Sequence, residues 1–205
     1  MLFAGASFVF ARSIMQAKPE YLSNLEWGIL NEMNLARTKP KIYADLLKAY
    51  RQGFQGRLLK RPGKIDLLTQ EGVSAVDEAI RALGQQKPLG EMIVSRGMSR
   101  AAADHVKDTG PSGITGHTGQ DGSTPFVRME RYGNWKSTAG ENISYGNDEA
   151  RAVVMQLIID DGVSSRGHRK NIYNEKFNTI GIACGQHAKY KTMCVTTLAG
   201  GFEER

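Results

Sequence analysis

The chain has 205 residues, 40% of them apolar and 23% charged, with a formal net charge of +6 at pH 7. This is globular composition, enough for one domain with a core or a domain plus an extension. No run approaches the roughly 20 apolar residues of a membrane helix, and no basic stripe interleaved with aromatics points to nucleic acid. Residues 1–100 hold 15 Lys and Arg against 9 Asp and Glu, while residues 101–205 hold 12 of each, so attraction to an anionic surface would come from the first half.

The N-terminal stretch Leu2 to Phe10 carries no charge. It reads either as the apolar core of a secretory signal lacking its basic start or as a packed N-terminal segment; residues 1–19 are therefore set apart as a candidate signal remnant. From residue 21 to about 50 the spacing is helical. Leu25, Ile29, Met33 and Ala36 form one apolar face, with Asn31, Asn34 and Arg37 on others. Pro40 ends or kinks this segment, and Ile42, Leu46, Leu47 and Tyr50 suggest a second helical piece. Residues 51–66 combine Gly53, Gly56, Pro62 and Gly63 with Arg57, Lys60, Arg61 and Lys64. They read as a basic, insertion-like loop suited to variable function.

Helical spacing resumes through Val73, Val76 and Ile80, with Gly84 suited to the helix end. An Ala-rich helix follows from Ser95 to about Asp108, and His105 on it reads as a packed or rim residue. Glycines at 110, 113, 116, 119 and 122 then mark a long loop containing His117, and loops of this length tend to be functional. Thr124 to about Tyr132 reads as a short helix with Pro125 in its first turn. Glu149 to about Asp160 reads as a strong helix with Asn147 or Asp148 as its N-cap. Ser164 and Ser165 precede His168. Ser165 is more simply a cap for the helix carrying His168 than a nucleophile, which would need a hydrogen-bonded base and an orienting third group.

The C-terminal part is strand-like, with runs from Thr179 to Cys184 and from Lys191 to Leu198 around a polar turn. A hairpin centred on residue 189 places Cys184 opposite Cys194, close enough to bond across the strands. Two buried free thiols are the alternative if the protein is cytosolic.

Several segments together resemble the CAP superfamily: cysteine-rich secretory proteins, antigen 5 and the pathogenesis-related group-one proteins, also called SCP-like. Asn31 to Arg37 resembles the N-terminal helix motif of bacterial and protist members. Gly116-His117-Thr118 with Asp121 to Phe126, then Arg128, Tyr132 and Gly133, resembles the first signature. Gly140-Glu141-Asn142-Ile143 resembles the second, and Arg166-Gly167-His168-Arg169-Lys170-Asn171-Ile172 the third. The resemblance covers roughly residues 20–202 as a single domain. It implies an α/β (α+β) fold, a three-layer α-β-α sandwich with a central antiparallel sheet, and a secreted, extracellular protein.

The resemblance also implies a cleft tetrad of two histidines and two acids. His117, Glu141 and His168 map onto it directly. Leu157 stands at the family's tryptophan position, which points to Asp160 as the fourth member, with Asp161 beside it. Two neutral imidazoles can bind zinc or another divalent cation, with carboxylates in a supporting shell. Each residue also has a plainer role, His117 bonded to backbone, His168 packed at a helix start, and Glu141 accepting from the glycine loops. Phe126, Tyr132, Trp135, Tyr145 and Tyr173 either line the cleft or belong to the core. Three functions follow as expectations. The first is binding of a metal or a small apolar ligand, such as a sterol or fatty acid, in the cleft. The second is metal-assisted peptidase or hydrolase chemistry on His117, Glu141 and His168. The third is docking to a host or anionic surface through Arg57, Lys60, Arg61 and Lys64.

Overall fold

A computed structural model describes residues 17–205; the apolar stretch at 2–10 lies outside them. The architecture is α+β, with a mixed central sheet between helical layers. Its strand order is β4 (Ile93–Val94), β7 (Thr179–His187), β8 (Lys191–Ala199), β6 (Ala139–Tyr145). The pairs β7–β8 and β8–β6 are antiparallel, whereas the short β4 joins β7 in parallel. The sheet is thus antiparallel across its three long strands and mixed only at one edge, and β6 is its other edge.

Alternation along the strands sorts side chains into two packing faces. Ile180, Ile182, Cys194 and Leu198 pack with α1 (Asn24–Thr38), α2 (Pro40–Arg51), α3 (Val73–Gln85) and α6 (Ala150–Ile159). Ala183, Met193, Val195 and Ile143 face Ala102 and Val106 of α4 (Arg96–Thr109). Each fully buried Leu or Ile side chain contributes about 1.5–3 kcal/mol, so these two faces dominate stability. Close approach of α4 requires Gly181, where a Cβ would overlap the Met98 carbonyl carbon and the Ser99 nitrogen.

Helix α1 starts with a reciprocal capping box. Ser23 Oγ accepts from the Glu26 N–H, and Glu26 Oε2 accepts from the Ser23 N–H at 2.7 Å. Arg37, which periodicity puts off the apolar face, is nonetheless buried. Its guanidinium donates to the carbonyls of Gly90, Ile172, Asn174 and Phe177, tying α1 to the segment after α7 (Gly167–Ile172). Asn34 likewise turns inward, bonding both the N–H and the carbonyl of Met92.

The basic stretch at 51–66 is more ordered than a loop. It forms a small antiparallel meander of β1 (Phe54–Gln55), β2 (Leu58–Leu59) and β3 (Leu67–Leu68). Helix α3 runs past Gly84 to Gln85. Helix α6 is capped by neither expected residue: Glu149 holds the N-cap position without a side-chain bond. Asp148 and Glu149 pair with Lys64 instead, and the Asn147 amide donates to Gln156.

The C-terminal hairpin has the expected register. Cys184 lies opposite Cys194 and the two are disulfide-bonded, which excludes the free-thiol alternative. The bond closes a loop of sequence separation 10. Loop-closure entropy of that size is worth about 2–3 kcal/mol.

Candidate functional site

The site is built on edge strand β6. Glu141 and Asn142 are consecutive, so their side chains leave opposite faces of the sheet. Glu141 points to the α4 side, with Ile143. There its Oε1 lies 2.9 Å from His117 Nδ1, and its Oε2 accepts from Arg128 Nη2 at 2.9 Å. Arg128 belongs to α5 (Pro125–Glu130), which Thr124 caps by accepting from the Val127 N–H. The Glu141 and Arg128 side chains are each 1% exposed, whereas the His117 side chain is 49% exposed. Arg128 also donates to the carbonyls of His117 and Ser123, so one guanidinium holds both the acid and the loop that delivers the histidine.

On the other side of β6, the Asn142 amide donates to the His168 carbonyl, and Asn171 donates to the Asn142 side-chain oxygen. His168 Nδ1 lies 2.6 Å from Asp160 Oδ1. Asp160 Oδ2 accepts from the backbone N–H groups of His168, at 2.9 Å, and Arg169. The Asp160 side chain is buried and that of His168 is 25% exposed. Asp160 takes this position because it ends α6 in the left-handed conformation, φ 58°. That turn folds its carboxylate back over the first N–H groups of α7.

The expected Ser165 cap is therefore absent. Arg166, also left-handed at φ 52°, occupies the N-cap position of α7 with no side-chain cap bond, and Asp160 supplies the acceptor from eight residues upstream. Asp161 points elsewhere, accepting from the N–H groups of Gln70 and Glu71. Of the two neighbouring acids, Asp160 is the one against His168.

The result is a duplicated pair, His117–Glu141 and His168–Asp160, flanking one strand. In each, a buried carboxylate engages Nδ1 and leaves Nε2 as the ring's free nitrogen. Among the described residues, no group of three or more His, Cys, Asp and Glu side chains is arranged to hold a metal ion.

Every oxygen of the two carboxylates has a partner. Each Glu141 oxygen has a cationic or imidazole partner, and each Asp160 oxygen accepts from the His168 ring or from backbone. Arg128 is the participant that residue-by-residue reading passed over. Its signal was its place in the first signature, eleven residues after His117.

The aromatic residues divide by role. Tyr145 reaches the site loop, its hydroxyl accepting from the Gly116 N–H at 3.0 Å. Phe126 packs against Trp135, with ring centroids 5.9 Å apart. The hydroxyls of Tyr132 and Tyr173 donate to Asp104 and to the Ala36 carbonyl. The four cations of the meander are all engaged within the chain. Arg57 donates to the Thr69 carbonyl and Arg61 to the Ile65 carbonyl. Lys60 pairs with Asp66, and Lys64 with Glu149. Beside them Ile65 and Leu68 are exposed. Among the described residues, no helix is long and apolar enough to cross a membrane.

The family model for the cysteine-rich secretory protein family, CAP, matches residues 30–198. Among curated proteins, the uncharacterized protein YkwD of Bacillus subtilis (strain 168) is 31% identical over 107 residues. That match covers 52% of this chain and 40% of the relative, so it spans less than half of the relative's length. Two solved structures are also similar. An outer surface protein from Borrelia burgdorferi has a TM-score of 0.46 at 18% identity, covering 57% of this chain and 80% of its own. An extracellular protein containing a SCP domain from Bacillus anthracis str. Ames has a TM-score of 0.43 at 21% identity, covering 62% and 37%.

Proposed function

The chain belongs to the cysteine-rich secretory protein (CAP) family, and from that premise we propose that it is an extracellular binding domain whose His117 and His168 take up a divalent transition metal. Zinc is one of the ions that suit neutral imidazole donors with open positions. The observation that carries this reading is the duplication: each histidine has its Nδ1 held by a buried carboxylate. Such a carboxylate orients the ring and selects the tautomer with the proton on Nδ1, leaving Nε2 as the donor to a metal, which is how carboxylates support metal-binding histidines elsewhere.

Two protein donors leave room for water and for an oxygen or nitrogen group of a second molecule. An extracellular location agrees with the Cys184–Cys194 bond, since disulfides persist in oxidising compartments.

Calorimetric titration of zinc into the wild type and into H117A/H168A tests the reading. One zinc per chain, lost in the double variant while its thermal transition remains cooperative, is the expected result. No binding near neutral pH, or equal binding by both proteins, would overturn it.

A further inference from the structure

The chain has four histidines, and only two stand in the carboxylate pairs. We infer that the other two, His105 and His187, are positioning residues that latch the loop carrying His117. This rests on the metal-binding reading only for its affinity readout; the latch itself concerns the metal-free protein.

His105 is fully buried on α4, and its Nε2 lies 2.8 Å from the Gly116 carbonyl oxygen. A carbonyl only accepts, so Nε2 carries the proton. Its Nδ1 is buried without a partner. Burial lowers the pKa of the ring, which disfavours a second proton on Nδ1. A leucine would fill the same space without an unpaired nitrogen. A buried polar group left half-satisfied asks for a reason, and its one bond supplies it.

His187 ends β7 and is also buried. Its Nδ1 accepts from the N–H groups of Tyr190, at 3.1 Å, and Lys189, at 3.3 Å. Its Nε2 therefore carries the proton and donates to the Ile114 carbonyl at 3.1 Å. Tyr145, on β6, closes the set. Its ring packs edge-on against His187, and its hydroxyl holds the Gly116 N–H. The two histidines and the tyrosine thus fix the loop at Ile114 and Gly116, immediately before His117, and Arg128 fixes the His117 carbonyl immediately after. Gly116 itself has φ +110°, a conformation L side chains rarely adopt. With the backbone held on both sides, the His117 ring meets Glu141 without ordering on binding.

Nitrogen-detected NMR of the His117 ring in the metal-free protein, together with zinc titration, tests the latch in H105L and H105Q. H105L keeps packing volume and removes the donor; H105Q restores an N–H at the same reach. H105L is expected to shift or broaden the Nδ1–H signal of His117 and to weaken zinc binding about tenfold or more, with H105Q recovering both. Wild-type His117 signals in H105L would overturn the latch, whatever the zinc result. If the wild type binds no zinc, the metal reading fails alone and the NMR arm still decides. Should H105L not fold, Y145F, which removes only the hydroxyl on Gly116, is judged by the same His117 signals.

Discussion

Replacing Glu141 with alanine is expected to destabilise the protein by about 3–5 kcal/mol, the cost of stranding one member of a buried ion pair. The stranded member is Arg128. Its side chain is 1% exposed, and its Nε already lacks a partner. Without Glu141 its charge is compensated only by neutral acceptors, the carbonyls of Ser123 and His117 and the Ser123 hydroxyl. Glu141→Gln keeps an acceptor but removes the charge, so it falls between wild type and alanine. Because the two groups share one interaction, E141A/R128M is expected to be less destabilised than the two single variants added together. Urea unfolding at one pH measures the wild type and the four variants. A loss under about 1 kcal/mol in E141A, or strict additivity in the double variant, would show that the pair is not the anchor of this side of the sheet.

The second large effect is functional. Asp160→Asn is expected to lower zinc affinity by about 10–100-fold while the protein stays folded. Asparagine is the informative choice because, like aspartate, it tolerates the left-handed backbone found at this position, φ 58°. The side chain then offers one acceptor and one donor where two acceptors stood. The backbone N–H and the ring Nδ1 of His168 both point at it. One of those contacts becomes donor against donor, and the ring must change tautomer or turn. An unaltered zinc isotherm for D160N would remove Asp160 from the site and leave it as a cap for α7.

How much of this was legible in the sequence depended on how local each feature is. The disulfide followed from counting outward from a hairpin centre, because antiparallel register is set by its turn. Cys184 and Cys194 needed nothing from the rest of the fold. The two His–acid pairs were legible only as motifs in order. His117 and Glu141 are 24 residues apart, and the edge strand that carries Glu141 and Asn142 between His117 and His168 is invisible to periodicity.

The buried arginines were misread or passed over for a related reason. Periodicity puts Arg37 off the apolar face of its helix, yet its partners are carbonyls 53 to 140 residues away, which no window around residue 37 contains. Caps failed where backbone conformation overrode composition. Asp160 and Arg166 are both left-handed without being glycine, and that pair of turns brings an acid from the end of one helix to the start of the next, displacing the nearer Ser165. In the meander, strands of two residues are too short to show any alternation.

The central claim is that two oriented imidazoles hold one metal ion. X-ray absorption at the zinc edge, on wild-type protein loaded with one equivalent, tests it most directly. The account predicts two histidine nitrogens at about 2.0–2.1 Å, with oxygen donors completing the shell, and loss of the imidazole signature in H117A/H168A. A shell without imidazole, or one unchanged in the double variant, would contradict it.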